Sequence, residues 1–335
     1  MDPQTLSLLE QSEQEAKTSL ISLFYVRKDY ENGLIDEKQV LDYFEAWRKQ
    51  DLYVLLEKEK EEKIQGLGKE VIVYKKVYKA VKVAKRGNDV YFYRIRKRLR
   101  FKEIPNKSLI EKHDDGYYSH FLYLTLTYDT KRCSLKEAWE NVGKEWNKFL
   151  SYLKKKFGIL VVIRTWEAFQ NGYPHIHAII YFPYVAFRVI RYTRFRKYPE
   201  WRLYSLEVKK EIAKAWHSFI DIQVPQDTQK MRYIFKYITK NLGGKEGEKQ
   251  KQTLGMMWLF RKQSFSISKD FFPLLLSYLQ VSDSERLEPL MHNSNSVEKC
   301  ISEWQFLGIF LREELKIPKN VWIQIFTKPP DGIHF

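Results

Sequence analysis

The chain has 335 residues, 44% of them hydrophobic, so it is long enough to bury a core and is not a disordered tail. Its 58 Lys and Arg residues outnumber 42 Asp and Glu residues, and the formal charge of +16 favours a nucleic-acid partner over an anionic membrane or simple solubility. Its two cysteines, Cys133 and Cys300, lie far apart, which excludes a disulfide framework and a zinc knuckle.

The N-terminal sequence MDPQTLSLLEQSEQEAK has no basic segment followed by an apolar one. No apolar run approaches the roughly 18 residues that span a bilayer. We therefore expect a soluble, cytoplasmic protein that is not exported and has no membrane partner.

Residues 1–65 are predicted to be helical, because EKQVLDYFEAWRKQDLYVLLEKEKEEK places apolar residues at three- and four-residue steps. Residues 66–115 are predicted to contain a basic β-hairpin with its turn at residues 87–89, since apolar and cationic residues alternate on both sides of that turn. The alternating apolar residues are Val81, Val83, Tyr91, Tyr93 and Ile95. The cationic face of this hairpin suits a DNA backbone, but also an ordinary solvated surface.

Residues 116–270 are predicted to form an α+β domain with a ferredoxin-like or RRM-like antiparallel sheet, because strands and helices follow in the order β-α-β-β-α-β-α-β. The first helix is expected to begin after Ser134 and to end at Gly158. Residues 243–252 are polar and predict a flexible loop, and residues 271–335 a helical C-terminal region. The predicted strands are HFLYLTLTYD, ILVVIRTWEAFQ, PHIHAIIYF, IDIQV and WLFRKQSFSIS.

His175 and His177 are two residues apart on a predicted strand, so both imidazoles project from one face and can bind one metal ion. Two ordinary surface histidines would produce the same spacing. Glu167 sits among apolar residues on the preceding strand, where its charge needs compensation. It shares the face of the histidines only if the intervening loop, around Asn171 and Gly172, has an odd number of residues, for instance three, which pairs it with His177.

Two imidazoles and one carboxylate leave coordination positions open, which is typical of a catalytic ion. The same set also suits iron oxygenases, although these usually place a further ligand downstream of the His pair. A divalent ion such as Mg²⁺ or Mn²⁺ acting on a phosphodiester fits the basic chain better. No small-molecule cofactor is expected.

Residues 227–242 are predicted to form a helix with an apolar stripe on one side. Two tyrosines and two lysines cluster on the opposite side: Tyr233, Lys236, Tyr237 and Lys240. The tyrosines are one turn apart, about 5–6 Å between their Cβ atoms, so both hydroxyls can reach one phosphate. Exposed tyrosines and lysines on a solvated helix are the plainer interpretation.

Taken together, these residues resemble the HUH endonuclease superfamily, specifically rolling-circle replication initiators of plasmid or virus type with two tyrosines. FLYLTLT resembles their first motif, PHIHAII the metal-binding motif, and YIFKYITK the tyrosine motif. The motifs follow in the order found in initiators, and FRKQSFSISK resembles a strand that often follows the tyrosine helix. The resemblance covers residues 118–270.

The resemblance implies nicking of one DNA strand at an origin, with a metal ion held by His175, His177 and Glu167 and with Tyr233 or Tyr237 as nucleophile. We favour Tyr233 for the first cleavage. A 5′-phosphotyrosine and a free 3′-OH would result, and the second tyrosine would later rejoin strands. Thr125 and Thr127 are expected to support the site.

The expected partners are single-stranded DNA at an origin and a helicase and polymerase from the host or plasmid, because no phosphate-binding motif of a helicase is present. A transposase with the same chemistry is one alternative. A non-catalytic ferredoxin-like nucleic-acid-binding protein is another.

Overall fold

The computed structural model describes residues 21–66, 69–99, 104–169, 171–193, 200–231, 248–279, 304–312 and 322–324. The chain forms two compact units. The first unit comprises Met1–Val90 and Met291–Phe335, and the second is the continuous segment Tyr91–Leu290.

In chain order, the described helices are α1 (Leu23–Glu31), α2 (Glu37–Lys49), α3 (Asp89–Leu99), α4 (Leu135–Phe157), α5 (Leu206–Lys214), α6 (Glu248–Leu259) and α7 (Phe271–Tyr278). The described strands are β1 (Leu52–Gly66), β2 (Lys69–Lys82), β3 (Glu111–His113), β4 (Gly116–Ser119), β5 (Phe121–Leu126), β6 (Val161–Ala168), β7 (Pro174–Tyr181), β8 (Phe187–Tyr192), β9 (Glu200–Leu203), β10 (Ile220–Gln223), β11 (Phe265–Ile267), β12 (Gln305–Leu311) and β13 (Trp322–Gln324).

The first unit contains a four-stranded sheet in the order β12-β1-β2-β13. The helix predicted to run to residue 65 ends at Lys49, so that part of the prediction was wrong. In residues 57–61 the signs alternate as Glu-Lys-Glu-Lys-Glu, which separates the charges onto two faces of a strand. Pairing with the β-branched and aromatic residues of β2 outweighs the helix propensity of Glu and Lys. An ion pair between the two strands adds to this pairing, with Lys76 Nζ 2.9 Å from Glu57 Oε1.

The predicted hairpin strand at residues 91–96 was also wrong, because this segment lies in helix α3. Its apolar side chains at helical spacing pack into the core of the second unit, which an alternating strand would not allow. These side chains are Tyr91, Phe92, Ile95 and Leu99. The strand that pairs with β2 is instead β1, and at the end of this ladder Gly66 pairs with Lys69.

Further secondary-structure predictions need correction. The C-terminal region is not wholly helical, because residues 305–311 form β12, which pairs with β1. The predicted loop at 243–252 becomes α6 from Glu248 onward, while residues 243–247 lie outside the described part of the chain. In the predicted strand WLFRKQSFSIS, Trp258 and Leu259 end α6, and the strand is confined to β11.

The α+β prediction is confirmed in the second unit, whose central sheet has the order β10-β5-β7-β6-β11. Strands β10, β5, β7 and β6 are neighbours in that order, and each pairs antiparallel with the next. Helices α4 and α5 occupy the helix positions of a ferredoxin-like β-α-β-β-α-β unit, whose strands are β5, β6, β7 and β10. Helix α4 begins after the predicted Ser134 cap, where Ser134 and Glu137 form a capping box, and it ends at the predicted Gly158. A second sheet, β3-β4-β8-β9, was not predicted.

One face of the central sheet carries both an apolar cluster and the candidate site. At one end, Phe121 stacks on Tyr181 with ring centroids 4.5 Å apart. Helices α3 and α7 supply apolar residues to the same cluster. Toward the other end of β5 and β7, the residues at the same strand parity become polar, as at Thr125 and His177. The apolar end therefore anchors the strands that carry the polar end.

Candidate metal centre

Glu167, His175 and His177 come together on one face of the central sheet, near the turn of the β6–β7 hairpin. Each offers a ligand atom, and these atoms all lie within 4.8 Å of one another. His177 Nε2 is 2.9 Å from Glu167 Oε2, and the imidazole centroids are 5.5 Å apart. Both histidines are buried, and the Glu167 side chain is only 12% exposed. The three residues predicted from sequence thus form one compact donor set.

The register of the β6–β7 hairpin brings Glu167 to the face of the histidines. Glu167 pairs with His175, and the predicted pairing with His177 was wrong. The backbone N–H of Phe169 donates to the Tyr173 carbonyl at 2.8 Å, which leaves residues 170–172 between them. The loop therefore has three residues, an odd number, as a shared face requires. Its central residue is 171, whereas a pairing of Glu167 with His177 would have placed the centre at residue 172.

The turn of this hairpin is held by contacts to two helices. Gly172 has a φ of +81°, and the indole N–H of Trp139 on α4 donates to its carbonyl at 2.9 Å. The backbone N–H of Ala168, one residue after Glu167, donates to the Thr253 hydroxyl on α6 at 2.9 Å. These contacts fix the end of β6, and with it the position of the carboxylate.

His177 has oxygen partners on both sides of its ring. Its Nδ1 lies 3.0 Å from the Tyr123 hydroxyl and 3.3 Å from Thr125 Oγ1, while its Nε2 faces Glu167. A ligating histidine usually donates its second ring N–H to such a partner. Thr125 therefore supports the site as expected, whereas Thr127 donates to the carbonyl of Phe219 at 3.0 Å.

Tyr123 was not singled out from the sequence, although the pattern of FLYLTLT contains the signal. Tyr123 and Thr125 share a strand parity, and Thr125 pairs with His177 across the β5–β7 ladder. Once β5 is placed beside the His-x-His strand, both hydroxyls must lie on the face of the histidines. The neighbouring strand, rather than the motif itself, reveals this role.

A buried arginine lies on the other face of β6. The guanidinium of Arg164 sits 3.9 Å from the ring centroid of Trp166 and 5.9 Å from that of Trp146 on α4. Burial lowers the pKa of Arg164 to about 10, so the group stays charged at neutral pH. Cation–π contacts with the two indoles compensate part of the lost hydration.

Two imidazoles and a carboxylate are a suitable donor set for a divalent cation. One ligand atom from each of the three side chains already lies within 4.8 Å of the other two. Three protein ligands leave positions for substrate oxygens, which is the arrangement of catalytic rather than structural ions. The donor set alone does not distinguish Mg²⁺, Mn²⁺ and Fe²⁺.

The start of the predicted tyrosine helix is described, but its tyrosines are not. Residues 228–231 are helical, and Asp227 Oδ1 accepts the backbone N–H of Lys230 at 2.7 Å. Met231 is fully buried in the apolar cluster on the site face of the sheet. The four predicted catalytic residues lie outside the described residues: Tyr233, Lys236, Tyr237 and Lys240.

Among the described residues, no helix combines the length and apolar composition that crossing a bilayer requires. Comparisons with curated proteins and with solved structures gave no match. Residues 121–242 match the model of a family described as replication-associated protein ORF2. The matched segment begins with β5, contains all three residues of the donor set and ends with the predicted tyrosine helix. In this segment the chain is similar to replication-associated proteins.

Proposed function

We propose that this protein is a rolling-circle replication initiator of the HUH endonuclease type, which nicks one DNA strand at an origin and later rejoins strands. The convergence of Glu167, His175 and His177 within the segment similar to replication-associated proteins is the observation that carries this proposal. The net charge of +16 adds support, since it suits a polyanionic substrate.

In this proposal the donor set holds Mg²⁺ or Mn²⁺. Such an ion, when bound, supplies Lewis-acid polarisation of a phosphodiester oxygen. Tyr123 and Thr125 act through His177, whose Nδ1 they contact, and keep its Nε2 directed toward Glu167. This orientation is what a metal ligand needs, because the lone pair must already point at the ion.

The nucleophile is Tyr233 or Tyr237 of the helix predicted from the sequence over residues 227–242. The phenol gives up its proton to solvent and its oxygen forms a bond to phosphorus. The bond from phosphorus to the 3′-oxygen breaks, and that oxygen takes up a proton from solvent to become a 3′-OH. On a helix, Tyr233 lies about 200° around the axis from the buried Met231 and Tyr237 about 240°. A helix through these residues would direct both tyrosines away from the apolar cluster and would bring Lys236 and Lys240 near enough to neutralise phosphate charge.

The free 3′-OH is a primer for a polymerase of the host or plasmid, and a separate helicase would open the duplex. The second tyrosine would attack the regenerated origin after one round of synthesis. A transposase would run the same chemistry on the ends of a mobile element, so the two are separated by which DNA is cut. We propose the origin as substrate because of the replication-associated similarity of residues 121–242.

The covalent step is tested with a labelled single-stranded oligonucleotide that contains the origin sequence, incubated with and without Mn²⁺. We expect a protein–DNA adduct with Mn²⁺ that disappears in a Tyr233→Phe, Tyr237→Phe double variant. Tyr184→Phe serves as the matched control, because Tyr184 is 76% exposed and lies between β7 and β8. Absence of any adduct with the wild type under all conditions would favour a non-catalytic nucleic-acid-binding protein.

The metal site is tested separately by titration calorimetry with Mn²⁺ in the absence of DNA. Glu167→Gln keeps the shape of the side chain but removes its charge, and we expect at least about 10-fold weaker Mn²⁺ binding. Glu207→Gln, an exposed position at the start of α5, should bind Mn²⁺ as the wild type does. Equal affinities of wild type and Glu167→Gln would remove Glu167 from the ligand set.

A further inference from the structure

In the second sheet, β3-β4-β8-β9, one face is partly covered, although Tyr117 on that face is 41% exposed, and the other face is open. On the covered face, Phe187, Val189 and Leu203 are buried. The ring of Phe187 lies 5.5 Å from that of Phe157 at the end of α4. Because side chains alternate along a strand, the residues between these positions must project from the opposite face.

The open face carries aromatic rings, two arginines and the carboxylates of Glu111 and Glu200 in neighbouring register positions. Arg188 pairs with Tyr118 across the β4–β8 ladder. The Arg188 guanidinium lies 4.8 Å from the ring centroid of Tyr204, which is 54% exposed. Ile190 and Tyr192 continue the same face of β8 and are 37% and 39% exposed. Two exposed aromatic rings, those of Tyr192 and Tyr204, therefore lie on this face.

This open face is joined to the candidate metal centre through Arg202. Arg202 pairs with Ile190 on the open face, and its guanidinium bonds to the carboxylate of Asp221 and, at 2.8 Å, to the carbonyl of Ile222 on β10. Asp221 in turn pairs with Thr125 in the central sheet. Two strand spacings, about 10 Å, then separate β10 from the strand of His177.

The strand pairing determines on which face of the central sheet the connection through Arg202 and Asp221 lies. Paired residues in a ladder project from the same face, so Asp221 lies on the same face as Thr125 and the donor set. The ion pair with Arg202 therefore joins the open face of the second sheet to the site face of the first. A ligand lying along this route would pass from the exposed tyrosines to the metal centre without crossing a sheet.

We propose that the open face formed by Tyr118, Arg188, Ile190, Tyr192 and Tyr204 binds the single-stranded DNA that flanks the scissile phosphate, by stacking of unpaired bases. Base stacking on exposed aromatic side chains is strong and tolerant of sequence, and an arginine plane adds a cation–π contact. Duplex DNA does not offer its base faces to such a surface. The link to cleavage rests on the proposed function, whereas the binding itself needs no reaction.

The test compares the affinities of full-length variants for a fluorescein-labelled single strand of about 16 nucleotides, measured by fluorescence anisotropy in EDTA. Tyr192→Thr combined with Tyr204→Thr removes both rings but keeps residues that favour strands. We expect at least about 10-fold weaker binding, against no change for the exposed Tyr184→Thr control. An abasic oligonucleotide should bind the wild type and the double variant alike.

Unchanged affinity in the folded double variant would overturn the proposal, as would an equal loss with the abasic strand, since stacking needs bases. Self-association of the wild type that the double variant abolishes, measured by sedimentation, would instead assign the face to a second copy of the chain. The outcome is separable from cleavage. A double variant that still forms the tyrosine adduct at saturating DNA, but with a raised KM, supports both proposals, whereas normal single-strand binding without any adduct in the wild type defeats only the proposed reaction.

Discussion

At the scale of single residues, His177 shows how the candidate site is prepared for a metal ion. Its Nε2 faces the Glu167 carboxylate at 2.9 Å, and its Nδ1 faces two hydroxyls. With an ion bound between Nε2 and the carboxylate, Nε2 would bind it as the unprotonated ring nitrogen, and the N–H at Nδ1 would donate to one of the two hydroxyls. The Tyr123 and Thr125 hydroxyls thereby influence the ion without touching it.

Tyr123→Phe is expected to weaken Mn²⁺ binding roughly 10-fold, because it removes the nearer of the two oxygen partners of His177 Nδ1. The ring stays in place, so packing beside His177 should be preserved. Titration calorimetry at neutral pH measures the change, with Tyr184→Phe as the control. A Tyr123→Phe affinity equal to that of the wild type would mean that Thr125 alone orients the imidazole.

At the scale of elements, the β6–β7 hairpin determines whether the three ligands meet. Its turn is tightly enclosed, since a Cβ added to Gly172 would lie 3.1 Å from Gln252 Nε2 and 3.3 Å from Leu135 Cδ1. The φ of +81° at this position is unfavourable for any residue with a Cβ. Glycine is therefore required here both by the backbone conformation and by the neighbouring side chains.

Gly172→Ala is expected to destabilise the protein by roughly 1–3 kcal/mol and to weaken Mn²⁺ binding, because relief of the strain would shift the end of β6. Gly143→Ala is the matched control. Gly143 lies inside α4, where an added Cβ would meet only Lys262 Nζ at 3.9 Å, so alanine should stabilise by about 0.5–1 kcal/mol. Urea denaturation of both variants gives the comparison, and a neutral Gly172→Ala would show that the turn relaxes freely.

At the scale of the whole molecule, the chain separates a discontinuous unit from a continuous one. The donor set and the second sheet both belong to Tyr91–Leu290. This unit has its own apolar cluster, in which α3, the central sheet and α7 take part. The division into four regions at residues 65, 115 and 270 stays a prediction. The boundary between the two units, after Val90, places nearly all of α3 in the same unit as the central sheet.

Residues 89–290, which include all of α3, are expected to fold when produced alone, because an apolar cluster and the described hydrogen-bond partners of His177 lie within them. The fragment should bind Mn²⁺ within about 3-fold of the full chain. Circular dichroism melting and titration calorimetry measure both properties. A fragment that shows no cooperative melting would mean that residues 1–88 or 291–335 contribute to its core.

Prediction from sequence succeeded where a local pattern and the tertiary structure agree. The Ser134 cap and Gly158 delimit α4 as expected, and the His-x-His strand is β7. Prediction failed where a local pattern had two interpretations. The Glu- and Lys-rich residues of β1 favour a helix in isolation, and only pairing with β2 makes them a strand. Likewise, the apolar residues of α3 fit both a strand with alternating side chains and a helix with an apolar stripe. The segment is a helix because that conformation packs these residues against the apolar cluster.

The sequence by itself determined the candidate ligands, because residue type, strand parity and apolar surroundings single out Glu167, His175 and His177, with the face of Glu167 conditional on an odd loop. It also determined the helix limits that local capping specifies. Only the tertiary structure decided that Glu167 pairs with His175, that Tyr123 contacts His177, and that β3, β4, β8 and β9 present an aromatic face connected to the site through Arg202. The physical reason is that these relations depend on strand order and register between distant segments, which burial of the whole core selects and which no local spacing encodes.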